Sequence, residues 1–551
     1  MSDYLFFDIE AQQHLRMGVE KLYKAVSSTM GPQGKLVLIE RLGKPPHLTK
    51  DGATVAKNVK LSNPLEGLGA SLIRQASEQT AQTAGDGSTT ATVLTREFYN
   101  RAIQALQTGI LSSSEMSSLM KSRIDLVVEF LKKHVVNIST NEEIRQIAAV
   151  SANGDTKISE LIAQAISEVG SAKLVTVQKS KTTQTTLQLV KGVRVERGYV
   201  SHYFANGEER NKCTLDEPFV LILNCKLNSL SQIVPVLEKV AGSEKSILVI
   251  ANDFEDEVIQ SMITNVTRGA LKICAIKSPF YGENRSQVLQ DLADSLGSRV
   301  LNELDDKQIK NLNLTDLGVC KSAVISNHET LLVECGRKNT KQITVDDKLK
   351  ENIRSVDKLL ENEDLSKEEV AFLKQRLVIL KGVVAVLSIG AYTESELLET
   401  FDRVDDALHA TKAAMDGGFL PGGGLALARA GMYLINLGTD NLKEKTVNKI
   451  IADSCFAPMK QILKNADLSV DYITETVKSH PTFFWGYNIR TEQYCDLIDA
   501  GIIDPLPVAI SALNNAVSAA SSLINIGCVI LDNTQSYQPD VQMVHLDEDA
   551  E

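Results

Sequence analysis

Three glycine-rich turns carry the residue types that hold phosphate. Gly85-Asp86-Gly87-Ser88-Thr89-Thr90 runs directly into the helical pattern ATVLTREF. A helix that starts on such a turn points free N–H groups and the positive end of its dipole outward, which suits a phosphate. Three hydroxyls add donors, and Asp86 is a hard oxygen ligand of the kind Mg2+ prefers. Read alone, the segment is equally a capped helix start, because Asp, Ser and Thr are good caps. Thr29-Met30-Gly31-Pro32-Gln33-Gly34 follows a helical stretch, and its glycines allow a backbone to approach an anion or simply to turn. Pro421-Gly422-Gly423-Gly424-Leu425-Ala426 again leads into a helix; it reads as a close approach to a ligand or as a linker.

Single acids accompany these turns. Lys50-Asp51-Gly52 has turn chemistry. Asp406 lies in FDRVDDALHATKAA with Asp402 and Asp405 beside it, where a solvated acidic face is the plain alternative. Asp504 sits in GIIDPL, where Asp-Pro ends a segment. The histidines form no HxH, HxxxH or HExxH cluster, and there is no GxSxG elbow and no GxxxxGK[ST] loop. Zinc hydrolysis, a serine nucleophile and a Walker-type site are therefore unsupported.

The chain that must position these residues has 551 amino acids and a net charge of -12. At ~150 residues per domain it holds several domains. With 43% hydrophobic and 23% charged residues it buries large cores. The acidic balance argues against nucleic acid as a partner, which needs a basic surface. The eight cysteines show no CxxC pair, and several, Cys225 and Cys528 among them, follow apolar runs; buried free thiols in a reducing compartment are expected. MSDYLFFDIEAQ has acids and no basic-then-apolar leader, and no apolar run approaches the ~18 residues that span a bilayer, so no membrane partner and a cytoplasmic location are expected.

Texture divides the chain. Residues 10–132 read as helix, with Leu15, Val19, Leu22 and Val26 at a 3.6 period. Residues 133–189 mix a helix with a β-rich piece. Residues 190–384 alternate, FVLILNC, SILVIAN and ALKICAI reading as buried strands. That stretch ends in a helical hairpin: Leu349, Ile353, Val356 and Leu360 on one helix, Val370, Leu373, Leu377 and Leu380 on the next, with Ser366 and Glu369 as a capping box between. Residues 385–416 return to strand and helix, and 417–532 are helical and Ala-rich. Helical ends around an α/β middle suggest nested insertion. Residues 533–551, ending HLDEDAE, read as a disordered acidic tail.

LTKDGATVAK, TAGDGSTTATVL, RVDDALHATKAA, PGGGLAL and GIIDP, in this order and spacing, resemble a GroEL-type group I chaperonin. TMGPQG, VSANGD, ERGYVSHYF and DLADSLGS extend the resemblance from about Gly18 to Asp532. The resemblance implies a multidomain α and α/β fold: a helical equatorial domain (1–132 and 417–532), a small α/β intermediate hinge domain (133–189 and 385–416) and an inserted α/β apical domain (190–384). It implies an ATPase that uses ATP, Mg2+ and K+. It further implies a homo-oligomer in a seven-membered ring, two rings stacked, enclosing unfolded protein clients under a co-chaperonin lid.

By the same resemblance, Thr29, Met30, Gly31 and Pro32 match the loop at the nucleotide phosphates. Gly87, Ser88, Thr89 and Thr90 match the phosphate-binding helix start, and Asp86 the magnesium ligand. Lys50 matches a backbone contact near the monovalent cation, and Gly423 and Asp504 contacts to adenosine. Asp406 matches the carboxylate that positions the attacking water, with Asp51 as a second acid beside it. Tyr199, Tyr203, Phe204, Val234, Leu237, Ile259 and Ile263 match the apolar groove for clients and lid. In that groove Val258, Ile259, Met262, Ile263 and Val266 span an arc of roughly 140° at ~100° per residue, wider than a core stripe needs. Positions 258, 262 and 266 are expected in the core.

The chain departs from the family pattern at several places. Ile489 and Arg490, after Asn488, stand where two alanines line the adenine pocket. Thr264 replaces an apolar groove residue. Phe280-Tyr281-Gly282 replaces a GFG-type loop, Asp416-Gly417-Gly418 an acidic stretch, and the C-terminal Gly-Met repeat is missing. Three functions are consistent with this: a working ATP-dependent folding ring, a specialised member that cycles poorly or serves few clients, and a non-chaperone structural role.

Overall fold

The computed structural model describes residues 4–531 except 42–45, 139, 153–154, 170–171, 181, 207–211, 303–311, 337–341 and 361–366. Ser366 of the expected capping box, Asn153 and Gly154 of VSANGD, and the acidic tail lie outside the described residues. The chain divides into two compact units, one of residues 1–167, 177–186 and 388–551, the other of residues 168–176 and 187–387. The first is assembled from both chain ends, as the nested texture implies. Segments 133–167 and 388–416, expected as part of a separate hinge domain, fall in that same unit.

The first unit is built on long helices whose apolar stripes meet. Asp8–Ser27 buries Ala11, Leu15, Val19, Leu22 and Val26, the 3.6-residue stripe read from the sequence. It crosses Pro64–Ala84 at very short range: a Cβ on Gly18 would stand 1.9 Å from the Glu66 carbonyl oxygen, and one on Gly69 would stand 2.1 Å from that of Leu15. Only glycine permits this crossing. Ser88–Leu106, Ser113–Lys133, Leu425–Asn436 and Leu442–Cys455 complete the bundle. At its centre lies Leu506–Ile524. By length and composition this is, among the described residues, the one helix apolar enough to cross a membrane. Its apolar face packs instead on Pro64–Ala84, Ser88–Leu106 and Ser113–Lys133, with Ala512, Leu513, Ala516 and Ala520 fully buried. Its apolarity is that of a core helix.

In the second unit the three apolar runs become adjacent parallel strands, Phe219–Leu223, Ile247–Ala251 and Ile273–Lys277, with Val220 opposite Leu248 and Leu248 opposite Cys274. The first two are buried at every position because both faces of the sheet are covered. Gly318–Ile325 and Thr330–Cys335 extend the sheet as an antiparallel pair. The helical hairpin forms as Gln342–Leu360 and Lys367–Lys381, with Val356, Leu373 and Leu380 between the helices. All eight cysteines are free thiols. Cys213, Cys274, Cys320 and Cys455 are buried as expected, but Cys528 is exposed, because its strand, Cys528–Leu531, pairs only with Tyr4–Phe7 in a two-stranded sheet.

Candidate nucleotide site

The site lies within the first unit. Gly87 caps Ser88–Leu106 at φ 88°, a left-handed conformation, and a Cβ there would meet Val508 at 2.6 Å. Among the described residues no side chain caps this end. Its first N–H groups therefore keep their capacity to bind an anion, and the capped-helix alternative for Ser88 and Thr89 falls away. The Asp51-Gly52 turn rests directly on this end: a Cβ on Gly52 would be 2.1 Å from Thr89 Oγ1 and 3.0 Å from Ser88 Oγ. Asp51 caps the short helix Gly52–Asn58, its carboxylate accepting from the Ala53 N–H at 3.0 Å and the Thr54 N–H at 2.8 Å. Lys50, half-buried, joins Asp51 to the strand His47–Thr49.

Asp406 arrives from far along the chain on the helix Glu394–Gly417, which buries Val404, Ala407 and Leu408. That helix packs on the phosphate turn: a Cβ on Gly85 would meet the His409 side chain at 2.5 Å. Asp406 is thereby brought among other acids. Burial, and then the charges of Asp51, Asp86, Asp405 and Asp402, push its carboxyl well above the usual carboxylate range. Asp86 is also raised, by burial and by Asp51, against the opposing effect of the Gly87 N–H that it accepts. Asp504 retains some open surface, but the protein packed around it and then the charge of Asp86 push it up to about 7, against the Gly424 N–H. The solvated-acid reading of Asp402 and Asp405 is corrected here: both are half-buried, Asp402 lying 3.5 Å from His47 and Asp405 3.7 Å from His409.

Asp406, Asp86 and Asp504 are thus raised by burial and by neighbouring negative charge, which a bound cation would offset. Among the described residues no three His, Cys, Asp or Glu side chains form a ready-made metal cage. Mg2+ does not ask for one, since it is commonly held by one or two carboxylates together with phosphate oxygens and water. Asp86, beside an uncapped helix start, fits that requirement.

The residues expected near the base lie on other elements of the same unit. Phe419–Pro421 pairs with Ile503–Pro505, setting Leu420 against Asp504 and carrying Gly422-Gly423-Gly424 past that acid. A Cβ on Gly423 would touch only Ile502, at 3.9 Å, so this position faces open space. Thr29 is buried and its hydroxyl donates to the Val26 carbonyl, which makes it a support of the loop. Pro32 is exposed, and Met30 is buried with Val93, Ala457 and Ile462. Ile489 packs against that same cluster, so the substituted position does meet the Thr29–Pro32 loop. Asn488 turns the tip of the hairpin Trp485–Asn488/Gln493–Asp496 by accepting from the Arg490 N–H at 2.9 Å, and Arg490 is exposed.

Three supporting residues carried no sequence signal. Asn465 donates to the carbonyls of Ser27 and Met30, each at 2.9 Å, and Gln461 holds Asn465 at 2.8 Å. Buried Arg429 donates to the carbonyls of His480 at 2.6 Å and Trp485 at 3.0 Å, tying down the hairpin.

In the second unit the groove residues divide. Tyr203 is 74% exposed, and Val234, Ile259 and Ile263 are half-buried. Val258 and Met262 are buried and Val266 half-buried against the core, as expected. Phe204 is 1% exposed and Tyr199 and Leu237 are each 9% exposed, all three in the sheet core. They are corrected from contact surface to floor, because the strands and helices over them leave almost no area for a client. Thr264 is exposed and donates to the Gln260 carbonyl. Phe280 takes a left-handed φ of 63°, pinned edge-on against Phe372 at 5.2 Å.

A helical unit made from both chain ends, with acids gathered at an uncapped helix start and an α/β unit inserted between, is the architecture of a chaperonin. The model of the TCP-1/cpn60 chaperonin family matches residues 22–534, and the chain belongs to that family. Its fold is similar to that of the chaperonin gp146 from the bacteriophage EL 2 (Pseudomonas aeruginosa), whose crystal structure was determined in the presence of ATP-BeFx. In crystal form II the TM-score is 0.67 at 22% identity, over 96% of this chain and 99% of that one. In crystal form I the TM-score is 0.61 at 21% identity, with the same coverage.

Proposed function

We propose that this chain is an ATP-hydrolysing folding chaperonin. The observation that carries the reading is the packing of the Asp406 helix on the turn before the uncapped start of Ser88–Leu106, where a Cβ on Gly85 would meet the His409 side chain at 2.5 Å. The N–H groups and hydroxyls of Ser88, Thr89 and Thr90 bind the phosphates, with Gly87 allowing their approach. Asp86 would hold Mg2+, which would supply neutralisation of phosphate charge, and the Lys50 backbone would hold K+. Asp406, in its ionised form, orients the attacking water. Asp51 is held by its two cap bonds and adds negative potential behind that water. Catalysis then rests on positioning and charge neutralisation. Thr29–Pro32, Gly423, Asp504 and the Asn488–Arg490 tip enclose the nucleoside.

The reading extends to assembly. Leu5, Phe7 and Ile530 are exposed on the two-stranded sheet of the chain ends. Apolar side chains on an open sheet edge suit contact with another copy, which supports assembly into a homo-oligomeric ring; seven members, two stacked rings and a cytoplasmic location belong to the same proposal. Tyr203, Ile259 and Ile263 offer the apolar surface for unfolded clients and for the lid. A second reading, a specialised member that binds ATP and cycles slowly, is favoured by Ile489 packed against the Met30 cluster. Refolding of a denatured client by the purified chain, with ATP and with or without a co-chaperonin, separates the two. Lid-dependent recovery supports the first; ATP binding without recovery supports the second; absence of ATP turnover overturns the first.

A further inference from the structure

We infer that Arg41, His47 and Asp402 form a latch that holds the Asp406 helix in its working position; this rests on the assignment of Asp406 above. His47 lies on the strand His47–Thr49 and is 4% exposed. Its Nδ1 is 2.7 Å from Arg41 Nη2, and its Nε2 is 3.5 Å from Asp402 Oδ2. A guanidinium only donates, so Nδ1 is the acceptor and the ring proton of neutral His47 sits on Nε2, facing Asp402. A neutral imidazole therefore lies between the Arg41 cation and the Asp402 anion.

Asp402 and Asp406 are four residues apart on one helix, so they share a face. What fixes Asp402 fixes the rotation and height of Asp406. A second contact, Ser395 Oγ to the Pro46 carbonyl at 3.5 Å, ties the first turn of the same helix to the same hairpin. Two attachments along one helix restrain tilt as well as rotation. They also explain a buried histidine in a hairpin that otherwise exposes Leu38 and Leu48. Arg41, His47 and Asp402 are positioning residues: they act on hydrolysis through Asp406.

The test uses the full chain and three variants: Asp402→Asn, His47→Gln and the double variant. Asp402 is only half-buried, and Gln retains an acceptor for Arg41 and a donor for Asp402, so both variants fold. Asp402→Asn is expected to lower ATP turnover about tenfold or more, as displacements near 1 Å do, with ATP affinity within twofold of the parent. Amide exchange along residues 394–406 should quicken. His47→Gln should retain much of the turnover, and the double variant should lose no more than Asp402→Asn alone. Parent-like turnover and exchange in Asp402→Asn, or losses that multiply in the double variant, overturn the latch. Should Asp406→Ala turn over ATP normally, the hydrolytic role of Asp406 fails, and the exchange measurement still decides the latch.

Discussion

The charge of Asp86 reaches Asp406, and it is one reason why Asp406 holds its proton so firmly. The two acids come from different ends of the chain, yet both lie in the same compact unit. Cations that would bind with the nucleotide, as proposed, would favour the ionised forms of both. On the proposed function, nucleotide binding would thereby favour the ionised form of Asp406 that orients the water.

The first prediction follows from that division of labour. Asp406→Ala should nearly abolish turnover while ATP still binds, because phosphate contacts are untouched. Asp86→Ala should weaken Mg-ATP binding. Steady-state turnover and equilibrium titration distinguish them, and parent-like turnover in Asp406→Ala would refute the assignment.

Asp504 makes stability depend on pH. Its folded carboxyl is raised from 3.8 to about 7. Below about pH 4 it is protonated whether folded or not. As pH rises from there the unfolded chain ionises first and binds fewer protons, so stability falls until the folded acid ionises near 7. At ~1.4 kcal/mol per pKa unit the loss amounts to a few kcal/mol. Urea midpoints at pH 5 and pH 8 should drop further for the parent than for Asp504→Asn; parallel profiles would contradict this.

Arg429→Met removes both bonds that tie the His480 and Trp485 carbonyls to the helix after the triple glycine. A buried acceptor left unpaired costs ~1–3 kcal/mol, partly offset because a buried cation is no longer desolvated. A net loss of about 2 kcal/mol in urea unfolding is expected, with weaker ATP binding as the hairpin loosens. Unchanged ATP affinity alongside the stability loss would separate Arg429 from the nucleotide.

At the adenine end, Ile489→Ala with Arg490→Ala should tighten ATP binding, measured by titration at fixed Mg2+ and K+. Ile489 packs against the Met30 cluster, and a side chain larger than its site accommodates costs ~1–3 kcal/mol. Exposed Arg490 has room to stack on the base, worth about 0.5–2 kcal/mol. The single variants therefore divide the effects: Ile489→Ala should tighten binding and Arg490→Ala should not. Weaker binding by the double variant would mean that Arg490 holds the ligand.

For client capture, Tyr203→Ser with Ile263→Ser should reduce retention of an unfolded protein and leave basal ATPase activity unaltered. Each covered apolar side chain contributes roughly 1.5–3 kcal/mol. Leu237→Ser is the wrong probe, since Leu237 is core and its loss acts on folding. Undiminished capture by the double variant would remove the groove from consideration.

Much of this protein is legible from short stretches of chain. The stripe of Leu15, Val19, Leu22 and Val26, the runs around Val220, Leu248 and Cys274, and the turns at Asp86 and Gly423 act through neighbours a few residues away, so local periodicity and backbone freedom reveal them. The ordered motifs also point to the family and to the acids. What only the tertiary structure decides is which distant groups meet. Asp402 reads as a solvated acid until the helix Glu394–Gly417 is laid against His47. Asn465 has no visible task until it reaches the Met30 carbonyl, and Phe204 looks like a client contact until the sheet closes over it. Burial and electrostatic coupling depend on distances in space that sequence separation does not encode, so the charge states of Asp86, Asp406 and Asp504 belong to the fold alone.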